Sequence, residues 1–367
     1  MRSVIGFALG LAASAAAAQL DVTDFLGTRP APGYARALAP RPFSFPADHG
    51  PHPDFRSEWW YFTGNLAAAD SRHFGFQLTF FRFALAPGTV ARESAWATNQ
   101  AWMAHFTLTD TANGRFHTAE RLGRGALGIA GAQVRPFRVW LDDWQALSSA
   151  PQSGLFPLRL EAGHGPVAIE LDLTAAKPLI LQGQDGWDRK GPQPGDASYY
   201  YSFTRLDAQG RVRIGESRFD VTGSAWMDRE WSSNALGGNL AGWDWLSLQL
   251  SDGSELMLYR LRRHDGAVDS YSSGALSLPG GAKQALAADE FEFQPRRWWT
   301  SPKTRVRYPV AWSLKIPSRE LSLELEPVLD DQELDLTVRY WEGAVRAKGH
   351  SDTGLVTGQG YLELAGY

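Results

Sequence analysis

The chain of 367 residues is long enough for two domains of ordinary size, and 44% hydrophobic with 21% charged residues is the composition of a folded protein. A formal net charge of −4 provides no basic field, which argues against a nucleic-acid partner and against attraction to an anionic membrane. The absence of cysteine excludes disulfides, thiolate metal sites, a cysteine nucleophile and a lipidated cysteine.

The first residues have the pattern of an export signal. Arg2 supplies a positive charge, residues 4–11 form a short apolar run, and the alanines at 16–18 fit a cleavage site before Gln19. No later run reaches the length of a transmembrane helix. We therefore predict a signal peptide over residues 1–18, no membrane span in the mature chain, and a periplasmic or secreted location.

A proline-rich lead-in over residues 19–53 is followed by short runs rich in aromatic and β-branched residues. The runs at 58–66 and 74–82 predict a hairpin around a polar turn. Similar runs recur at 104–109, 138–141, 156–161, 167–173, 198–206 and 217–222. Regularly spaced strands without intervening helices predict an all-β fold, and this pattern alone leaves a barrel and a sandwich open.

The second half of the sequence restarts the same pattern. Asp-Arg-Glu-Trp at 228–231 echoes Arg-Ser-Glu-Trp at 56–59, and a second aromatic hairpin ends at Arg260 as the first ends at Arg82. This self-similarity predicts a duplicated domain. We place the first domain at 54–231 and the second at 232–367.

Five segments that carry aromatic residues stand in a distinctive order. They are His-Pro-Asp-Phe-Arg-Ser-Glu-Trp-Trp-Tyr at 52–61, Trp-Asp-Arg-Lys-Gly-Pro at 187–192, Trp-Met-Asp-Arg-Glu-Trp at 226–231, Gly-Trp-Asp-Trp at 242–245 and Gly-Gln-Gly-Tyr-Leu-Glu-Leu-Ala-Gly-Tyr at 358–367. From His52 to the C-terminus the chain resembles the AttH/CrtC-like family, which includes carotenoid 1,2-hydratases and proteins labelled as predicted secreted hydrolases. The resemblance implies two tandem lipocalin-like antiparallel β-barrels.

The hydratase branch of that family adds water across a terminal carbon–carbon double bond. The Asp-His-Asn-Trp motif of that branch corresponds to residues 228–231. Asp228 and Trp231 match that motif, whereas Arg229 replaces the histidine and Glu230 replaces the asparagine. An arginine has no proton to exchange near neutral pH, so Arg229 cannot serve as the acid. Tyr259 is present one hairpin later, but it is not part of the Tyr-x-Asp motif that the hydratase branch has there.

Carboxylates beside tryptophans are the candidates for acid–base catalysis, because contact with apolar rings raises the pKa of a carboxyl group. The predicted catalytic set is Asp228, Glu230, Trp231 and Glu58, with Trp231 stabilising a developing cation over its ring face. We expect Glu58 and Glu230 to lie close together where the two barrels meet. In the alternative interpretation these acids pair with arginines, such as Arg82 or Arg260, and only brace the barrels.

The surplus of 15 tryptophans, 19 phenylalanines and 11 tyrosines predicts an apolar cavity in addition to filled cores. The predicted ligand-binding residues are Trp59, Trp60, Tyr61, His105, Arg229, Trp243, Trp245 and Tyr259. The histidines show neither zinc-protease spacing nor a neighbouring calcium loop, so no metal and no cofactor is predicted. No G-x-S-x-G elbow supports a serine hydrolase.

Three functions remain open from the sequence. The first is an exported lipocalin-like protein that binds a hydrophobic small molecule, such as an isoprenoid or a lipid. The second is an acid–base enzyme of the hydratase type acting on an isoprenoid double bond, and the third is a structural or chaperone-like envelope protein. A cavity that contains carboxylates favours the enzyme, an entirely apolar cavity favours the carrier, and filled barrels favour the third function. The sequence indicates no particular protein partner.

Overall fold

The computed structural model describes residues 32–88, 93–149, 154–234, 236 and 238–367. The predicted signal peptide and the first part of the predicted lead-in lie outside these residues. The described helices are single 3-10 turns at Ala47–His49, Thr111–Asn113 and Pro317–Arg319. In the described part of the chain no helix is long and apolar enough to cross a membrane.

The described residues form 23 strands. The first thirteen are β1 Ser57–Ala68, β2 His73–Ala84, β3 Gln100–Asp110, β4 Arg115–Arg124, β5 Ala130–Val134, β6 Phe137–Leu141, β7 Trp144–Ser148, β8 Leu158–His164, β9 Val167–Ala175, β10 Ile180–Leu181, β11 Trp187–Arg189, β12 Ala197–Ile214 and β13 Ser217–Asn234. The other ten are β14 Leu240–Leu250, β15 Glu255–Arg263, β16 Ser273–Ser277, β17 Lys283–Ala287, β18 Glu292–Thr300, β19 Arg307–Ile316, β20 Leu321–Pro327, β21 Glu333–Asp335, β22 Arg339–Ser351 and β23 Gly354–Ala365.

The strands form two antiparallel sheets. The first runs β4-β3-β2-β1-β13-β12-β9-β8-β7-β6-β5, with β10 and β11 added to β12, and it curls until β6 contacts β2, β3 and β4. The second runs β17-β16-β15-β14-β23-β22-β20-β19-β18, with β21 added to β22. The first sheet is a nearly closed barrel and the second a half-barrel, which confirms the predicted all-β fold of two tandem lipocalin-like antiparallel β-barrels. The predicted domain limits stay a prediction, because sheet membership does not show that either part folds alone.

Alternation along each strand separates an inner face from an outer face. Trp60, Phe62 and Leu66 of β1 are fully buried in the core of the first barrel, and Leu246 and Leu248 of β14 are equally buried in the core of the second. The intervening residues of β1 and β14 therefore point out of their own barrels. The two outer faces pack against each other.

The two barrels approach closely at Gly75 of β2. A Cβ atom at this position would lie 2.7 Å from Cβ of Ala344 and 2.9 Å from the hydroxyl oxygen of Tyr361, so any larger residue would push the barrels apart. Nearby, the Asn65 side-chain amide donates to the Gly360 carbonyl at 3.2 Å. These contacts fix one end of the inter-barrel contact and leave space beside it.

Candidate functional site

A cavity of about 910 Å³, counted out to its open mouth, lies between the outer faces of the two barrels. The first barrel contributes residues of β1, β2, β3, β12 and β13, and the second contributes residues of β14, β15, β22 and β23. The lining is Trp59, Tyr61, Gln77, Thr79, Phe81, Met103, His105, Lys190, Tyr200, Asp228, Glu230, Leu236, Trp243, Trp245, Tyr259, Leu261, Val338, Tyr340 and Glu363. An aromatic and aliphatic cavity with a few ionisable groups is thus placed where the barrels meet.

Most of the predicted ligand-binding residues border this cavity, together with two of the predicted carboxylates. They are Trp59, Tyr61, His105, Asp228, Glu230, Trp243, Trp245 and Tyr259. Strand pairing explains why Asp228 and Glu230 share the wall with Trp59 and Tyr61. In the β1–β13 ladder Tyr61 lies opposite Asp228 and Trp59 lies opposite Glu230, so all four side chains leave the same face of the sheet.

The other predicted residues leave the opposite face, inside the first barrel. Glu58 lies opposite Trp231 in the same ladder, and Trp60 lies opposite Arg229. The expected proximity of Glu58 and Glu230 at the barrel junction is therefore not found, because the pleat sends them to opposite sides of the sheet. None of these four inner residues borders the cavity.

Glu58 lies between Arg82 and Arg229 inside the first barrel, and we call this group of three residues the arginine brace. The alternative interpretation of the carboxylates expects such a pairing. Its carboxylate accepts hydrogen bonds from Arg82 Nε and Arg229 Nη2, and from the His52 backbone amide at 3.0 Å. Burial alone would raise the pKa of Glu58, but the guanidinium groups of Arg229 and Arg82 outweigh it and hold that pKa well below its usual range. Trp231 lies beside this group, where its ring stacks on the His52 ring with centroids 3.8 Å apart.

Asp228 faces the cavity, and none of its hydrogen-bond partners among the described residues is a cation. Its carboxylate accepts hydrogen bonds from Tyr200 Oη at 2.7 Å, Ser202 Oγ at 2.5 Å and Trp226 Nε1 at 2.7 Å. Burial raises the pKa of Asp228 to about 7, and these three donors only partly oppose that effect. The group therefore exchanges its proton in the neutral range.

A lysine and two further carboxylates form a second polar group, of which Lys190 and Glu230 border the cavity and Asp188 does not. Lys190 Nζ forms an ion pair with Glu230 and lies 3.7 Å from Asp188, which also accepts a hydrogen bond from Tyr259 Oη at 2.9 Å. Burial raises the pKa of Asp188 to about 6. Burial opposes the charged form of Lys190, but Glu230 and Asp188 outweigh it and raise its pKa, so the ammonium group persists.

Two carboxyl groups from the second barrel meet at the cavity edge. Glu342 of β22 lies opposite Glu363 of β23, Tyr61 Oη donates to Glu342 at 2.8 Å, and Trp243 Nε1 donates to Glu363 at 2.5 Å. Burial raises the pKa of Glu363 to about 7, and burial together with the neighbouring Glu363 raises the pKa of Glu342 well above its usual range. The pair therefore retains at least one proton at neutral pH.

Sequence reasoning missed Asp188, Lys190, Glu342 and Glu363, although one signal was visible. Glu342 and Glu363 are ionisable residues inside aromatic and apolar runs that fold as strands, whereas Asp188 and Lys190 lie in a polar segment after Trp187 that gives no such signal. Such residues are buried only where they have a partner or a function. In the described part of the chain, no group of three or more histidine, aspartate or glutamate side chains is arranged to hold a metal ion.

A family model described as AttH-like matches residues 36–367. An AttH-type protein from Nitrosomonas europaea is similar in structure, with 37% identity, a TM-score of 0.81, and coverage of 91% of this chain and 99% of that chain. Kievitone hydratase from Nectria haematococca shares the fold at 16% identity and a TM-score of 0.67, with 90% and 95% covered. CghA with Sch210972 shares it at 15% identity and a TM-score of 0.53, with 91% and 96% covered. No curated protein sequence matches the chain.

Proposed function

Because the chain belongs to the AttH-like family of proteins with two β-barrels, we propose that it binds an apolar small molecule between its barrels and performs acid–base chemistry on it. The observation that carries this proposal is the pair of cavity carboxyl groups, Asp228 and Glu363, whose pKa values are both raised to about 7. Groups that titrate near the working pH are the best proton donors and acceptors.

The reaction that this arrangement supports best is the addition of water to a carbon–carbon double bond. In the forward direction the Glu363 carboxyl group transfers its proton to an alkene carbon. The π electrons form the new C–H bond and leave a carbocation on the neighbouring carbon. Water attacks that carbon, and Asp228 accepts the proton that the water releases. Asp228 then loses this proton to solvent and Glu363 takes one up from solvent, so both groups return to their starting states and the net change is one added water.

The cavity wall supports the other requirements of this reaction. Trp59, Trp243 and Trp245 border the cavity, and an indole face stabilises a neighbouring cation. Since Trp231 stacks inside the first barrel, these three rings take the cation-stabilising role in the proposal. Glu230 is occupied by Lys190, so its proposed role is to hold the ammonium group in the wall. Kievitone hydratase, which shares the fold, is named for a hydration.

A carrier without turnover is the second candidate, and the predominantly apolar lining favours it. Phe81, Met103, Leu236, Leu261 and Val338 present no group that can react. Such a surface binds an apolar molecule through burial alone. The same cavity would then serve transport or storage.

One experiment separates these candidates. The protein and its Asp228→Asn and Glu363→Gln variants are produced in the native host, and the bound and cellular lipids are identified by mass spectrometry. Glu170→Gln, at an exposed carboxylate remote from the cavity, is the matched control. We expect both cavity variants, and not the control, to accumulate a compound that is one water lighter than its wild-type counterpart. The same compound held unchanged by all four proteins would contradict the enzyme and support the carrier, and no bound compound in any of them would contradict both.

We also propose that the protein is exported after cleavage behind residue 18. The support is the sequence pattern of residues 1–18 described above. N-terminal sequencing of the protein from its native host tests this, with Gln19 as the expected first residue. An N-terminus at residue 1 or 2 in a cytoplasmic fraction would contradict it.

A further inference from the structure

Gln77 of β2 borders the cavity and is almost completely buried, with 1% of its surface exposed. Its amide nitrogen donates hydrogen bonds to Thr79 Oγ1 at 2.6 Å and to Tyr340 Oη at 3.3 Å. Its amide oxygen is buried and has no partner among the described residues. A residue that borders the cavity thus carries a strong acceptor that no described residue uses.

The orientation of this amide is fixed by a chain of hydrogen bonds that begins at Glu120. Glu120 accepts from Thr337 Oγ1 at 2.6 Å and from His105 Nε2 at 3.0 Å. Burial would raise the pKa of Glu120, but these hydrogen bonds outweigh it and lower that pKa, so the group is a carboxylate that can only accept. The hydrogen of His105 therefore lies on Nε2.

The remaining bonds of the chain follow in one direction. With its hydrogen on Nε2, His105 offers a lone pair at Nδ1, and Tyr340 Oη donates to it at 2.7 Å. The oxygen of Tyr340 then accepts from the Gln77 amide nitrogen. Both N–H groups of Gln77 are used within the protein, and its oxygen is the atom left over for a ligand.

A buried acceptor without a partner is costly, because it loses its hydrogen bonds to water and gains none. We propose that Gln77 Oε1 accepts a hydrogen bond from a hydroxyl or N–H group of the ligand, so the ligand is an apolar molecule that carries such a donor and not a pure hydrocarbon. This inference rests on the proposed function, since it requires an apolar ligand in the cavity. Phe81, Met103 and Val338 border the same cavity and contact the apolar body of that ligand.

Matched pairs of probes test this inference. Geraniol, farnesol, geranylgeraniol and 2-naphthol are each compared with their methyl ethers, which keep the apolar body and the oxygen, add one methyl group and lose the donor. Dissociation constants for the wild-type protein, Gln77→Met and Tyr340→Phe are measured by tryptophan fluorescence quenching. Gln133→Met, at an exposed glutamine of β5, controls for the substitution, and thermal unfolding confirms that each variant is folded.

For at least one pair, we expect the wild-type protein to bind the alcohol at least about tenfold more tightly than the ether. Gln77→Met should reduce this ratio to about one by weakening the alcohol alone. Tyr340→Phe should reduce it partly, because the amide of Gln77 is then free to turn. Gln133→Met should leave the ratio unchanged.

Two results would overturn the inference in distinguishable ways. If alcohols and ethers bind equally well to the wild-type protein, the cavity still takes apolar molecules but Gln77 Oε1 does not recognise a donor. An amide turned the other way, with its N–H groups toward the ligand, would give this result. If no probe binds to any of the folded proteins, apolar binding itself is contradicted and the inference fails with it.

Discussion

The two faces of the β1–β13 ladder carry carboxylates that are both buried, but the pKa of one is lowered and that of the other is raised. On the inner face, Glu58 lies between the guanidinium groups of Arg82 and Arg229, and its pKa is lowered. On the outer face, the described residues give Asp228 hydroxyl and indole donors and no cation, and its pKa is raised to about 7. Burial raises the pKa in both places, so the partner decides whether a buried carboxylate is a structural anion or a proton-exchanging group.

The second barrel also contains a buried carboxylate that lies between two arginines, as Glu58 does in the first barrel. Asp244 of β14 is fully buried, lies 2.7 Å from Arg260 Nη2 and 3.1 Å from Arg262 Nε, and accepts a hydrogen bond from Tyr367 Oη at 2.6 Å. Each barrel thus contains a carboxylate between two arginines. Asp228 and Glu363, which have no such pair of arginines among the described residues, border the cavity between the barrels.

The largest effect is expected from Glu58→Gln. This change leaves the buried cations of Arg82 and Arg229 without their counter-charge, which should lower the free energy of unfolding by about 3–5 kcal/mol. Urea denaturation at pH 7 measures it, with Glu170→Gln as the control. A loss no larger than that of the control would show that the brace does not stabilise the barrel.

Asp244→Asn tests whether the two braces are equivalent. Arg260 and Arg262 keep 16% and 14% of their side chains exposed, whereas Arg82 and Arg229 keep 2% and 0%, so water can partly replace the lost carboxylate. We expect a loss of about 2–3 kcal/mol, smaller than that for Glu58→Gln. The same denaturation series measures it, and a larger loss than for Glu58→Gln would reverse the ranking by burial.

Asp228→Asn should change stability with the opposite sign. The folded protein holds the Asp228 proton more tightly than the unfolded chain, so stability falls as the pH rises from about 4 to about 7. An asparagine at position 228 cannot ionise, so the variant does not lose stability over this pH range. At pH 8 the variant should be more stable than the wild-type protein by about 1–3 kcal/mol, and at pH 4 the two should be nearly equal. Denaturation at both pH values measures the difference, and a variant that is less stable at pH 8 would contradict the account.

The sequence predicted the all-β class because period-two alternation is visible in single strands, as in β9 and β20, where buried and more accessible residues alternate, whereas the two barrels were expected from the family resemblance. It also predicted aromatic residues of the cavity such as Trp59 and Trp245. The assignment of residues that follow one another in the chain to one site was wrong, because the pleat of β13 points Arg229 into the first barrel and Glu230 out of it. Glu342 and Glu363 could not be placed, because their proximity to Tyr61 exists only after β22 packs beside β1.

A smaller and purely spectroscopic effect separates the two carboxyl groups of the second barrel. Glu363→Gln should remove a carboxyl titration near pH 7, whereas Glu342→Gln should keep it, because the pKa raised to about 7 is that of Glu363, while the pKa of Glu342 is raised well above its usual range. The infrared band of protonated carboxyl groups, followed from pH 5 to pH 9, measures this. Loss of the titration in both variants would mean that the pair titrates as one unit in this range.

The smallest effect is the control itself. Glu170 is 52% exposed and pairs with Arg159 at 3.2 Å, so Glu170→Gln should change the free energy of unfolding by less than about 1 kcal/mol. Urea denaturation at low and high salt measures it. A larger change would mean that exposed charges matter here as much as buried ones.

The central claim is that partners, and not burial, divide the carboxylates of β1 and β13 into a brace and a proton-exchanging group. Carbon-13 NMR of protein labelled at the aspartate and glutamate carboxyl groups tests it most directly, with Asp228→Asn and Glu58→Gln assigning the two resonances. The account predicts that Asp228 titrates near pH 7 while Glu58 stays ionised down to the onset of acid unfolding. Titration of Asp228 in the range of an ordinary carboxyl group, near pH 4, would contradict it.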